Sequence, residues 1–202
     1  MSILKHQIIL HSDIVGQFSL DKPVTAYKHQ LGFSWYLCLV TVADKPEWLL
    51  VNVEFGYCQL VIAPEKTPIY IGDAAITVIE NHLPEARDDD NVSVSLSGDD
   101  ISWHTANKMP EHVTKRYQQA VALLRSCKDL NDADDALDGL NDLPLTIGGK
   151  VFAPVEGLEG LLLELADDYR SYIESTPWWK LQWHIWTRKE APWIKAPNRN
   201  TP

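Results

Sequence analysis

Residues 33–42 read FSWYLCLVTV, a run dense in aromatic and β-branched side chains. Such side chains suit a pleated, half-buried surface, so the run predicts a strand. Asp44-Lys45-Pro46-Glu47 follows with a proline suited to a turn. Across residues 48–62 the apolar pattern resumes. Leu49, Val51, Val53, Phe55 and Tyr57 fall on one face, opposite Leu50, Asn52 and Glu54. That alternation predicts a strand with one face in the core, with Gly56 as a bulge or bend. Weaker strand patterns lie at 7–10, 69–71, 75–80, 92–96 and 101–103, separated by turn and breaker residues. The economical arrangement for residues 1–105 is an antiparallel sheet, barrel- or sandwich-like.

The period changes after Lys108. Pro110 and Glu111 suit the first turn of a helix. Val113, Tyr117, Ala120, Val121 and Leu124 then recur at helical spacing as far as Cys127. Residues 129–142 hold six aspartates and read as a solvated connector with at most a short helical turn. The segment 145–152 predicts a hairpin, since Gly148-Gly149 accepts the positive φ of a type I′ turn. Leu158, Leu161, Leu162, Leu165, Tyr169, Tyr172 and Ile173 form a second helical stripe. Thr176-Pro177 suits a helix start, yet Trp179, Leu181, Trp183 and Ile185 alternate with polar residues, which favours a strand. Residues 189–202 read as a loop or tail. The expected fold is thus one α+β domain over residues 1–202. Its first 105 residues are mainly β, and residues 106–202 are mainly helical. Two long helices cover one sheet face, and a Trp-rich element closes or extends the structure.

Composition narrows the class. The chain has 202 residues, 45% hydrophobic and 23% charged, which is globular rather than disordered. No apolar run of 18 residues occurs, so no spanning helix is expected. The first residues lack the apolar region of a leader, and three scattered cysteines give no disulfide framework, so a cytoplasmic protein is expected. The net charge of −10 opposes binding to nucleic acid overall. The charge is uneven: Lys180, Arg188, Lys189, Lys195 and Arg199 against Glu190 give residues 178–202 a charge of +4, leaving −14 on the remainder. Five of the eight tryptophans share that basic end, so it differs from the body in chemistry as well as in charge.

Local catalytic motifs fail on their own requirements. A phosphate loop ending at Gly148-Gly149-Lys150 needs an earlier glycine where Pro144 stands and a hydroxyl where Val151 stands. A calcium loop turning at Gly139 meets Ala136 and Leu145 at ligand positions. No two of the histidines have helical i, i+3 or i+4 spacing, and no Cys-x-x-Cys or Gly-x-Ser-x-Gly occurs. His104 and His112 flank the predicted sheet-to-helix junction and form the better pair to inspect. Cys38 and Cys58 lie in apolar strand patterns, where a thiol is usually inert, and Cys127 ends a helix, where the dipole disfavours a thiolate.

No metal or cofactor is therefore expected. The leading expectation is a non-catalytic protein-binding module, an acidic inhibitor, immunity-type or accessory protein that meets a partner with a basic surface. Its expected contacts are Asp129, Asp132, Asp134 and Asp135, together with an aromatic–cationic patch of Trp178, Lys180, Trp186, Arg188, Lys189 and Trp193. A structural reading stands beside each set: aspartates as a solvated loop, indoles as core. One alternative is an enzyme or small-ligand binder with a pocket inside the curved sheet, using His104, Glu54 or Tyr57. Another is nucleic-acid binding through the C-terminal patch.

Overall fold

The computed structural model describes residues 6–11, 14, 25–26, 33–62, 67–82, 101–175 and 177. Strands β1 (His6–His11), β2 (Thr25–Ala26), β3 (Phe33–Val42), β4 (Lys45–Asn52), β5 (Cys58–Leu60) and β6 (Ser102–Ala106) form one six-stranded sheet in the order β2-β6-β1-β3-β4-β5. Strands β7 (Leu145–Ile147) and β8 (Lys150–Phe152) form a separate hairpin. The helices are α1 (Pro68–Asn81), α2 (Glu111–Leu124), α3 (Leu130–Asn141) and α4 (Pro154–Ser175). The fold is therefore mixed α and β, as the change of period implies.

The pairing differs from the expected antiparallel sheet. β1 runs parallel to both β3 and β6, and β2 parallel to β6; only β3-β4-β5 is an antiparallel meander. The sheet does not close into a barrel, because β2 and β5 lie at its opposite edges. The helices also cover both faces rather than one. Ile8, Leu10, Trp35, Leu37, Trp48 and Leu50 pack with Ile71, Ala75 and Ile79 of α1 and with Leu158 and Leu162 of α4. On the other face, Ile9, Tyr36, Cys38, Leu49 and Val51 pack with Val113, Ala120 and Leu124 of α2 and with Ala133, Leu137 and Leu140 of α3. Two-sided burial explains why β3 and β4 are nearly continuous in apolar residues.

Three local expectations are revised. The β3–β4 turn is Ala43-Asp44, with φ of +47° and +62°, while Lys45, Pro46 and Glu47 begin β4. The pattern over 48–62 is broken at 53–57. There Asn52 Oδ1 accepts from the Glu54 and Phe55 amides at 2.9 Å each, and Gly56 takes φ +71° in a tight turn rather than a bulge. The patterns at 69–71 and 75–80 both belong to α1. The β7–β8 hairpin matches its expectation: Ile147 pairs with Lys150 across Gly148 and Gly149, whose φ angles are +58° and +79°. The weak strand pattern at 92–96 and the Trp-rich element lie outside the described residues.

Candidate functional site

The aspartate-rich segment is a helix, α3, and not a connector. Asp129 is its N-cap: its Oδ1 accepts from the Asp132 amide at 2.9 Å, while Asp132 Oδ2 accepts from the Lys128 amide at 2.9 Å. This arrangement satisfies one bare donor of the first turn, the Asp132 amide, and ties down the Lys128 amide just before the cap. Ala133, Leu137 and Leu140 recur at helical spacing and are buried. That pattern and the Asp129–Asp132 spacing were the sequence signals for the helix.

Burying one face aims the other outward. Asp132, Asp135, Asp138 and Asp142 are exposed and lie in successive turns. Asp134 is half-buried at the side of the row, within 3.4 Å of Gln59 Nε2. Of the expected contact residues, Asp135 is thus presented to solvent, Asp129 and Asp132 are exposed but also cap the helix, and Asp134 faces β5. Asp138 and Asp142 complete the row. Partial burial, followed by repulsion from Asp134, Asp135 and Asp142, holds the Asp138 carboxyl above its ordinary range. The negative end of the helix dipole opposes the same charge.

Two buried side chains hold this charged helix in place. The Asn141 amide bonds both backbone groups of Cys58: Oδ1 accepts from the amide at 2.8 Å and Nδ2 donates to the carbonyl at 2.9 Å. Asn141 thereby occupies the outer side of β5 as a neighbouring strand would. Arg116, only 1% exposed, reaches from α2 to the end of α3. Its Nη1 donates to the Leu140 carbonyl at 3.2 Å and to Gln119 Oε1 at 3.3 Å, and Nη2 donates to the Leu143 carbonyl at 2.9 Å. Beyond α3, Leu143 and Val151 are 56% and 69% exposed, so apolar surface lies on elements that follow the acidic row.

An open cleft of about 880 Å³ lies where β6 ends and α2 begins, lined by Tyr36, Thr105, Lys108, Met109, Thr114 and Lys115 among others. Tyr36 Oη donates to the Lys108 carbonyl at 3.0 Å, and Lys115 pairs with Glu111 at 2.8 Å on an exposed helix surface. Water screens an exposed pair of this kind, so it adds little to stability. The cleft is large enough for a small ligand.

Two apolar clusters pack against the two faces of the sheet. His104, Glu54 and Tyr57 do not converge. His104 lies on β6, whereas Tyr57 precedes β5 four strand positions away, roughly 19 Å at ordinary strand spacing. His104 Nε2 is 2.9 Å from Ser102 Oγ, and His112 Nε2 donates to the Val53 carbonyl at 2.7 Å, so the two histidines serve different contacts. Among the described residues, no three His, Cys, Asp or Glu side chains form a metal-binding group, and no helix is long and apolar enough to cross a membrane. Burial pushes the Cys58 thiol up to about 12 and raises Cys38 and Cys127 as well, which leaves the thiols protonated at neutral pH. Trp178, Lys180, Trp186, Arg188, Lys189 and Trp193 lie outside the described residues.

The chain matches no protein-family model and no curated protein. The functional reading therefore rests on the geometry of α3 and its surroundings.

Proposed function

We propose that the protein is a non-catalytic binding module that uses the outward face of α3 to engage a partner protein with a basic surface. The observation that carries this reading is the aspartate row. Asp135, Asp138 and Asp142 stand in successive turns, and the described residues supply no salt bridge to them. Mutual repulsion within such a row is relieved when cations of a partner approach. Rigid presentation supports the reading, because Arg116 and Asn141 hold the helix without drawing on its exposed carboxylates. Exposed Leu143 and Val151 add apolar contacts of the kind that give an interface affinity, while charge gives it rate and selectivity. The indole- and cation-rich residues from Trp178 onward are proposed as a second contact, on composition alone.

The test is affinity capture from the native host with the wild-type chain and with the triple variant Asp135→Asn, Asp138→Asn, Asp142→Asn. Partners that the wild type retains at low salt and releases at high salt, and that the triple variant does not retain, are the expected outcome. Equal retention by both chains, or retention indifferent to salt, removes the proposal.

A further inference from the structure

The cleft at the start of α2 is used neither by the core nor by the contact surface proposed on α3. Its place in the sheet is informative. β6, β1 and β3 are neighbouring parallel strands, and the cleft opens at the carboxyl end of β6, where Thr105 and Ala106 line it. In open sheets with parallel strands, ligands lodge in the crevice beyond that end. Tyr36 lines the same cleft from β3, on the far side of β1. Its hydroxyl donates to the Lys108 carbonyl at 3.0 Å, which ties the short connection between β6 and α2 to the sheet and fixes one side of the cleft.

The lining has two chemical characters. Tyr36, Met109 and Pro110 bring apolar surface, while Lys108 and Lys115 are exposed ammonium groups on a chain whose net charge is −10. Glu111 also lines the cleft and is paired with Lys115 at 2.8 Å. Two cations against one anion leave a single positive charge. The first turn of α2 has no side-chain cap, since Pro110 stands at the N-cap, so the positive end of the helix dipole adds to the same sign. We propose that the cleft binds a small molecule that joins one carboxylate to an apolar body. The carboxylate meets Lys108 and Lys115, and the body lies against Met109, Pro110 and the Tyr36 ring. One negative charge matches the local balance, whereas a phosphate dianion exceeds it and a neutral molecule leaves both ammonium groups unmatched. The site is independent of the contact surface proposed above, because no residue of α3 lines it.

The experiment is a titration of the full-length chain followed by amide NMR shifts, with phenylpropionate, its neutral amide, acetate and inorganic phosphate as probes. Phenylpropionate is expected to move the resonances of the cleft-lining residues saturably. The amide, which lacks the charge, and acetate, which lacks the apolar body, are each expected to bind at least about fivefold more weakly. Lys108→Gln and Lys115→Gln each weaken phenylpropionate about threefold, whereas Glu111→Gln, which frees Lys115, tightens it by about the same factor. All three substituted side chains are exposed, so a preserved amide spectrum shows that the fold is intact. The proposal is overturned by shifts centred elsewhere on the protein or by no saturable shift at all. Equal binding of the acid and its amide overturns it too, as does phosphate bound as tightly as phenylpropionate, or a Glu111→Gln variant that binds no tighter. Every result is read without a partner protein, so the salt-dependent capture experiment is judged separately.

Discussion

Arg116 is a fully buried cation that has no carboxylate in hydrogen-bonding contact among the described residues. Its guanidinium meets the Leu140 and Leu143 carbonyls, at the end of α3 where peptide dipoles leave negative charge. Burial lowers its pKa, yet a guanidinium stays protonated at any physiological pH. Arg116→Met keeps much of the side-chain volume but strands two carbonyls. Its expected cost is roughly 2–4 kcal/mol in urea unfolding, whereas Lys115→Met, which breaks only an exposed pair, is expected to cost much less. Equal effects of the two substitutions would refute the clamp. The role of Arg116 was partly legible. It lies three residues after Val113 and four before Ala120, on the buried stripe of α2, but its charge argued against reading it as core. The backbone partners of Asn141 and Arg116 were not legible, because each lies more than 20 residues away along the chain.

Elements were legible where local pattern and tertiary environment agree. The strand at β3, the β7–β8 hairpin, and α2 and α4 all follow from periodicity and turn chemistry. α1 did not, because Ile76, Thr77, Val78 and Ile79 are β-branched and favour a strand locally. Packing of Ile71, Ala75 and Ile79 against the sheet overrides that preference. α3 was obscured by its aspartates, although its cap spacing was present. The β3–β4 turn makes an element-scale prediction. Ala43 and Asp44 both hold positive φ, which opposes the ordinary preference of residues with a Cβ. Replacing them with Asn-Gly, the pair suited to this turn, is expected to raise stability by about 1 kcal/mol. Thermal melting of the double variant checks it, and an unchanged or lower Tm would count against the strain.

For the whole molecule, α+β content was legible and sheet direction was not. Parallel pairing of β1 with β3 and β6 joins segments distant in sequence, and no local signal specifies it. Charge makes the prediction at this scale. Asp138 has a folded-state pKa above its unfolded value, so its ionisation works against folding: stability is highest below the unfolded value and is lost as pH rises through the folded one. Asp138→Asn is therefore expected to raise Tm at pH 7, with the gain fading as the medium is acidified to where the aspartate is already neutral. A Tm that falls at pH 7 would contradict this sign. The same substitution is expected to weaken capture of a basic partner, so stability and binding trade against each other on one helix face.

The amide of Asn141 has one more consequence. Open sheet margins invite extended peptides to add themselves, the usual route to fibrils and to recruitment by strand exchange. At β5 the outward groups of Cys58 are already taken by a side chain of the chain itself. An arriving peptide finds that register occupied, so this margin resists lengthening of the sheet, and whatever docks beside α3 must do so through side chains instead of a shared ladder.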